Sequence, residues 1–177
     1  MYDLSFLLSQ LFATGTFVCD LISWQCRDRT RVLAVLVVSA VFYALHFALL
    51  HAWSGAALAA FSALRFFAAR KFPGHNALVA VFVTVTVILT AATYGGYPSL
   101  IACMGGVCGT IAAFQREGKR LRLMMMGATT LWLLYNLCLK SPVGTLLEAS
   151  FLLSNIVGYR RHRKIIVQSC ELGIHPR

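Results

Sequence analysis

Glu148 and Asn155 are polar side chains inside a long apolar stretch near the end of the chain. They are seven residues apart, or about two helical turns, so the spacing predicts that both project from one face of a helix. A carboxylate within lipid is energetically costly, and Glu148 is therefore expected to face protein, water or a bound partner. The two residues predict a polar site inside an otherwise apolar protein.

His46 is another ionisable residue inside an apolar stretch. It lies seven residues from the outer end of its stretch, and Glu148 lies six residues from the outer end of its own. At about 1.5 Å per residue, the two side chains are expected at similar depth, where they can pair. Such a pair suits proton coupling or cation binding. The alternative is a structural hydrogen bond that joins two parts of the fold, and both interpretations are open at this point.

Asp20 and Arg65 form the other candidate pair. Asp20 lies seven residues before Arg27. Arg65 lies six residues before Lys71, which puts both side chains at similar depth in the opposite half of the membrane. We expect an ion pair between the first and third apolar stretches. Arg65 can alternatively extend to the lipid headgroups, or take part in substrate binding or gating.

Trp132, Asn136 and Asn155 add an aromatic face and two amides to these groups. An indole can stack on a ring-bearing solute while amides bond its polar edges, so this set suits a small polar solute. In membrane helices the same residue types also serve packing and hydrogen bonding between helices. Both roles are compatible with the sequence.

The composition is that of an integral membrane protein. Apolar residues make up 59% of the 177 residues, charged residues only 12%, and the mean hydropathy is +0.73. Soluble domains carry about 25% charged residues. Most of the chain lies in apolar runs close to the length of about 20 residues that crosses a bilayer as a helix. Alternating strand patterns are absent, so the predicted fold class is all-α, a polytopic membrane protein.

Seven transmembrane helices are predicted within a single membrane domain. Their approximate limits are 5–26, 32–53, a third ending at 72, 76–93, 99–114, 123–139 and 142–159, followed by a basic tail at 160–177. With the N-terminus outside, 15 of the 16 Lys and Arg residues fall on the cytoplasmic side, and Lys140 falls opposite. This asymmetry predicts an outside N-terminus and a cytoplasmic C-terminus. Because membrane topology explains the positions of these Lys and Arg residues, the net charge of +10 does not indicate nucleic-acid binding.

The chain also matches itself at an offset of 89 residues without gaps. Gly55 falls on Gly144, and the edges of the apolar segments coincide. The match predicts two parallel three-helix repeats, at about 5–72 and 99–159, joined by a connector helix at about 76–93. Further coincidences are Cys19 with Cys108, Arg31 with Arg120, Tyr43 with Trp132, and His46 with Tyr135.

Two stretches carry a family resemblance. They are His46-Phe47-Ala48-Leu49-Leu50 followed by Arg65, and Trp132 to Asn136 with Gly144-Thr145, Glu148, Ser150 and Asn155. Both resemble the YgjV-type family of bacterial inner-membrane proteins, and the similarity covers most of the chain. The resemblance implies a bacterial inner-membrane location and no assigned chemistry. The 3+1+3 plan also resembles SWEET sugar transporters, PnuC vitamin transporters and KDEL receptors, which implies a shared fold and not a shared function.

The expected function is non-enzymatic. The sequence contains no nucleophile beside a base, no phosphate-binding loop and no metal-ligand spacing, so neither a cofactor nor a metal is expected. We expect the movement of a small polar solute through a cavity between the repeats, with that solute and membrane lipids as partners. The alternative is a receptor or accessory subunit that binds a ligand or partner without transport. Gly105 and Gly109 can serve packing within the bundle or contact in a homo-oligomer.

Overall fold

The computed structural model describes residues 4–26, 29–153 and 156. Within these ranges the regular secondary structure is entirely α-helical, and no residue belongs to a strand. The predicted all-helical class is thereby confirmed. The seven helices of the described part are α1 (Leu4–Gln25), α2 (Arg29–Leu49), α3 (Trp53–Lys71), α4 (Asn76–Ala92), α5 (Tyr97–Ala113), α6 (Gly118–Cys138) and α7 (Pro142–Leu153).

The largest differences from the expected helix boundaries are at the end of α2 and the start of α6. α2 ends at Leu49 and not near 53, because the chain turns at His51, whose φ is 53°. α6 begins at Gly118, before the expected start at 123, because the charged residues ahead of the apolar run are already helical. Hydropathy marks the part of a helix that suits lipid, while the helix itself continues into the polar interface.

α4 shows how the membrane environment determines secondary structure. The helix is rich in Val and Thr, residues that favour strands in soluble proteins. Lipid offers the backbone no hydrogen-bond partners, so an isolated apolar segment must satisfy them internally as a helix. The hydroxyl of Thr86 donates to Phe82 O (2.7 Å) and that of Thr90 donates to Thr86 O (2.9 Å). These side chains therefore present no unsatisfied donor to the surroundings.

The α2–α3 corner and the α6–α7 corner have the same backbone geometry. His51 (φ 53°) and Lys140 (φ 52°) are both left-handed, which is uncommon for residues other than glycine. They are 89 residues apart, and α6 begins and ends 89 residues after α2. The matched backbone hydrogen bonds are Ala52 N–Phe47 O with Ser141 N–Asn136 O, and His51 N–Ala48 O with Lys140 N–Leu137 O.

The helices pack mainly against their neighbours in the chain. α2 contacts both α1 and α3, α5 contacts α6, and α4 lies against α3 and α5. α3 also packs on α5, which joins the first half of the chain to the second. α7 is tied to α1 by a hydrogen bond from Val143 N to Gln10 Oε1 (3.2 Å).

The distribution of polar and apolar side chains indicates a surface that faces lipid. Arg65, Glu148 and Asp20 are only 3%, 6% and 8% exposed. Leu11 and Leu64, in contrast, are 65% and 62% exposed. Both features are unfavourable for a monomer in water, whereas a bilayer favours apolar side chains outside and ionisable ones inside.

Two helical stretches in the described residues have the length and composition of a membrane span by themselves. They are Leu4–Ser23, with a mean hydropathy of 1.5, and Arg29–Leu49, with 2.4. Four other apolar helical stretches are shorter: Asn76–Ala92, Tyr97–Ala113, Leu123–Cys138 and Pro142–Leu153. The number of seven spans therefore stays a prediction.

Candidate functional site

A cavity of about 100 Å³ lies within the helical bundle. Its walls come from α1, α2, α3, α5, α6 and α7. Of the residues singled out by the sequence, Asp20, Arg65, Trp132 and Glu148 line it. The cavity therefore brings side chains from the first and second halves of the chain to one place.

Fourteen of the 17 lining residues form seven pairs at the offset of 89 residues. Most of the lining therefore consists of positions that match each other at this offset. The pairs are Asp20 with Gly109, Leu36 with Met125, Ser39 with Ala128, Ala40 with Thr129, Tyr43 with Trp132, Ala59 with Glu148, and Ser62 with Phe151. Thr16, Arg65 and Phe66 complete the lining.

Glu148 reaches the cavity from α7 and is held there by a tyrosine of α2. The Tyr43 hydroxyl donates to Glu148 Oε1 at 2.9 Å. Asn136 Nδ2 in turn donates to the Tyr43 hydroxyl at 2.5 Å and to Trp132 O at 2.9 Å. Asn136 is completely buried and does not line the cavity. Its amide therefore orients Tyr43, which orients the carboxylate.

His46 lies next to this network, completely buried and outside the cavity lining. Its Nδ1 is 2.8 Å from Ser9 O, and its Nε2 is 3.3 Å from Ser141 Oγ. Because a carbonyl oxygen only accepts, Nδ1 carries the proton and Nε2 accepts from the Ser141 hydroxyl in the neutral ring. The imidazole stacks on the Tyr43 ring at a centroid distance of 5.7 Å. The predicted partners His46 and Glu148 are thus linked through Tyr43.

Arg65 enters the cavity from α3 and is anchored to α5. Its Nη1 donates to Gly106 O at 2.9 Å and to Thr110 Oγ1 at 3.2 Å. Its Nε–H has no hydrogen-bond acceptor within the described part of the chain. With 3% of its surface exposed, the side chain stays inside the bundle and does not extend to the headgroups. Arg65 is therefore a buried cation whose Nε–H is unpaired within the described residues.

Asp20 lines the same cavity from α1. Ser39 Oγ of α2 donates to Asp20 Oδ1 at 2.7 Å. The salt bridge found within the described residues joins Arg120 to Glu117 at the surface, at 3.0 Å. Asp20 and Arg65, predicted as an ion pair, therefore share the cavity without a direct salt bridge.

Four aromatic rings form a continuous cluster that we call the aromatic layer: Tyr43, Phe47, Trp132 and Tyr135. The ring centroids of Tyr43 and Phe47 are 4.4 Å apart, and those of Phe47 and Tyr135 are 5.2 Å apart. Tyr43 and Trp132 line the cavity, whereas Tyr135 lines a separate depression of about 530 Å³ next to the α2–α3 corner. Phe47, completely buried, lies between them. The aromatic layer thus closes the cavity on the side of the two corners.

Two glycines of α5 make room for side chains of the site. A Cβ at Gly109 would lie 3.1 Å from Arg65 Nη2, and one at Gly105 would lie 3.2 Å from Trp132 Nε1. The two glycines, expected to allow close packing of helices, therefore leave room beside α5 for the guanidinium of Arg65 and the indole of Trp132.

Comparison with known proteins gives the family. Imp-YgjV, a family described as bacterial inner membrane protein, matches residues 7–165. The chain belongs to this family. It is 27% identical over 148 residues to the inner membrane protein YgjV of Escherichia coli (strain K12), a match that covers 84% of this chain and 80% of the relative. No solved structure matches it. A location in the bacterial inner membrane is therefore established, as the sequence predicted.

Some site residues of this Imp-YgjV protein could not be found by looking for ionisable groups in apolar stretches. Tyr43 and Ser39, which bond the two carboxylates, are common residues whose hydroxyls carry no signal in a hydropathy profile. For Tyr43, the offset of 89 residues is a sequence signal, because it aligns this tyrosine with the candidate residue Trp132. Asn155, the remaining candidate, lies outside the described residues.

Proposed function

We propose that this Imp-YgjV protein consists of two like-oriented three-helix repeats, α1–α3 and α5–α7, with α4 as the connector. Three observations support this arrangement. The two corners have the same backbone geometry, α6 begins and ends 89 residues after α2, and most cavity-lining residues match each other at that offset. Like-oriented repeats are related by an axis along the membrane normal, which places a site between them near the bilayer midplane. α4 and α5 have 17 residues, or about 26 Å, and span with slight local thinning of a core of about 30 Å.

A pair of exchanged contacts also supports the twofold relation. His46 and Tyr135 occupy corresponding positions, 89 residues apart. His46 Nε2 contacts Ser141 Oγ at the corner of the second half, at 3.3 Å. Tyr135 accepts a hydrogen bond from Gly55 N next to the corner of the first half, at 3.1 Å. Each half therefore reaches across to the corner region of the other, as a twofold axis between α2 and α6 requires.

The proposed orientation has the N-terminus outside and the C-terminus in the cytoplasm. Arg29 lies at the end of the bundle opposite the corners, where it donates to Ala69 O (3.1 Å), Ala113 O (2.8 Å) and Gln115 O (3.2 Å). Arg70, Lys71, Arg116 and Arg120 belong to the same end by chain position. Positive charge collects on the cytoplasmic side of membrane proteins, so the corners with His51 and Lys140 face outward.

We propose that the protein moves a small polar solute across the inner membrane through the cavity. The observation that carries this proposal is that Asp20, Arg65 and Glu148 face one cavity built from corresponding faces of the two halves. Ionisable residues inside a membrane protein mark substrate or ion pathways by default, because lipid makes them costly to keep. Rocking of one repeat against the other would expose such a central site to each side in turn.

The two ends of the cavity differ in what closes them. The aromatic layer separates it from the depression at the outer corners, which is lined by residues such as Trp53, Ser54 and Ser99. Towards the other end, an apolar cluster that includes Leu33, Phe82 and Phe114 fills the interior. We propose that the aromatic layer is the outer gate of the cavity and that the apolar cluster closes the path at the other end.

The rival function is that of a receptor or accessory subunit on the same fold. It is favoured by the network that runs from Ser9 through His46 and from Asn136 through Tyr43 to Glu148, because these bonds tie α1, α2, α6 and α7 together. A bundle locked in this way can hold a ligand without opening on both faces. Solute flux separates the two functions.

The test is uptake by vesicles that contain the purified protein. Vesicles with wild-type protein and vesicles without protein are placed in a defined mixture of amino acids, sugars, organic acids and amines, and their contents are measured by mass spectrometry. We expect at least one solute to enter with the protein, and Glu148→Gln to abolish its entry.

The matched control is Glu117→Gln, which removes a carboxylate that is 64% exposed and outside the cavity. It should leave uptake unchanged, and thermal unfolding of both variants should remain cooperative. Entry of no solute, or equal entry with Glu148→Gln, would contradict transport. A ligand that stabilises the protein without entering the vesicles would support the receptor.

A further inference from the structure

The three charged groups of the cavity are arranged asymmetrically, although the walls around them correspond. The position that matches Asp20 is Gly109, and the position that matches Glu148 is Ala59. Both carboxylates therefore belong to walls whose counterparts carry no charge. An occupant that complements such walls must itself differ between its two ends.

Arg65 is prepared to bind an acceptor. Nη1 is fixed by Gly106 O and Thr110 Oγ1, so the guanidinium cannot rotate freely. Nε–H, in a side chain that is 3% exposed, has no partner within the described residues. Gly109 leaves the space beside Nη2 free of a side chain. A buried donor without an acceptor is costly, and a guanidinium edge matches a carboxylate with two parallel hydrogen bonds.

The two carboxylates set the opposite requirement. Asp20 accepts from Ser39 through Oδ1, and Glu148 accepts from Tyr43 through Oε1. With all three groups ionised, the cavity carries one more negative than positive charge. A simple anion on Arg65 would be repelled by the carboxylates, and a neutral solute would leave the excess negative charge in place. The occupant must bring a positive group as well as an acceptor.

The volume limits the size of this occupant. For comparison, a protein cavity of about 150 Å³ holds benzene, so a cavity of about 100 Å³ holds a solute of a few heavy atoms. A disaccharide or a nucleoside does not fit in this conformation.

We infer that the cavity binds a small zwitterion, an amino acid with little or no side chain, whose carboxylate lies on Arg65 and whose ammonium lies between Asp20 and Glu148. The inference rests on the cavity of the proposed function and names the class of its solute. It requires binding at this site, whether or not the solute is then transported.

The experiment measures thermal unfolding of the purified full-length protein with added probes. Glycine, alanine and β-alanine represent the zwitterion, while propionate, ethylammonium and propionamide carry one charge or none. A ligand of the folded state raises Tm with concentration. We expect the zwitterions to raise Tm at concentrations about tenfold or more below those at which propionate, ethylammonium and propionamide act.

Variants locate the binding. Glu148→Gln keeps an acceptor for Tyr43 but removes the charge, so it should weaken zwitterion binding by about tenfold or more and should not weaken propionate binding. Glu117→Gln is the control that should bind like the wild type. Because loss of Arg65 can prevent folding, Gly109→Ala, which crowds Nη2, serves as the second variant and should weaken both zwitterions and propionate.

Equal action of propionate, equal action of ethylammonium, or no rise in Tm with any zwitterion would overturn the inference. These results would not contradict transport if another solute enters the vesicles and its entry is lost with Glu148→Gln. Conversely, zwitterion binding that depends on Glu148, without entry into vesicles, would support the inference and contradict transport.

Discussion

Tyr43 and Trp132 meet at the cavity with their ring centroids 6.0 Å apart, and they occupy positions that correspond at the offset of 89 residues. The two rings play different parts. Tyr43 places its hydroxyl between Asn136 and Glu148, whereas Trp132 contributes its indole to the wall and its carbonyl to Asn136. The two positions that match at this offset therefore contribute different chemistry to the same cavity.

Tyr43→Phe is expected to destabilise the protein. The change leaves Glu148 Oε1 without its donor and removes one of the two acceptors of Asn136 Nδ2. An unsatisfied buried polar group costs about 1–3 kcal/mol, so the free energy of unfolding in detergent should fall by that amount. Tyr94→Phe, at a tyrosine that is 57% exposed, is the control and should change it little. Equal effects of the two changes would show that the hydroxyl network does not stabilise the fold.

Gly144→Ala and Gly127→Ala should have opposite effects. A Cβ at Gly144 would collide with the side-chain amide of Asn136 and lie 2.8 Å from Ser141 Oγ. Because Asn136 is held by two hydrogen bonds, we expect a loss of about 1–3 kcal/mol in the free energy of unfolding. Gly127, within α6, has nothing within 4 Å of that position, so alanine there should stabilise by up to about 1 kcal/mol. Chemical denaturation of both variants is the measurement.

Phe47→Ala should open the aromatic layer towards the outer face. The change removes the completely buried ring between Tyr43 and Tyr135, at a cost of about 3–5 kcal/mol of stability. Thr129→Cys, in a background without the native cysteines, reports access to the cavity through a thiol reagent that cannot cross membranes. We expect faster labelling from outside with Phe47→Ala, and no change with Phe67→Ala, whose ring is 50% exposed. Unchanged labelling would exclude the aromatic layer as a gate.

The two corners should lie on the same side of the membrane. Single cysteines that replace His51 or Lys140 are expected to react with an impermeant thiol reagent added to spheroplasts whose inner membrane is intact. A cysteine at Lys71, at the end of α3, should react only after permeabilisation. Reaction of only one corner from outside would contradict like-oriented repeats, and protection of both would reverse the orientation.

The sequence predicted that the ionisable residues lie inside the bundle better than it predicted which of them meet. Counting along helices at a nearly constant rise placed Asp20 and Arg65 in one half of the membrane and Glu148 in the other, whereas all three line one cavity. Which atoms meet depends on helix rotation and side-chain rotamers, which the counting does not contain. His46 therefore contacts Ser9 and Ser141 instead of Glu148.

The end of α2 was harder to predict than the turn that follows it, because the linker His51-Ala52-Trp53-Ser54-Gly55 already indicates a turn. His51 turns the chain in a left-handed conformation, and the residues just before it resemble a continuation of the apolar helix. The second corner has Pro142 after Lys140 and was recognised. The offset of 89 residues predicts the end of α2 correctly, because subtracting 89 from the last residue of α6, Cys138, gives Leu49.

In the proposed two-repeat arrangement, the uneven placement of the acids means that neither half of the chain can replace the other. Two copies of the first half would supply Asp20 and Arg65 twice and Glu148 not at all, while two copies of the second would contain neither Asp20 nor Arg65. Complementation between separately expressed fragments should therefore succeed only when one of each kind is present.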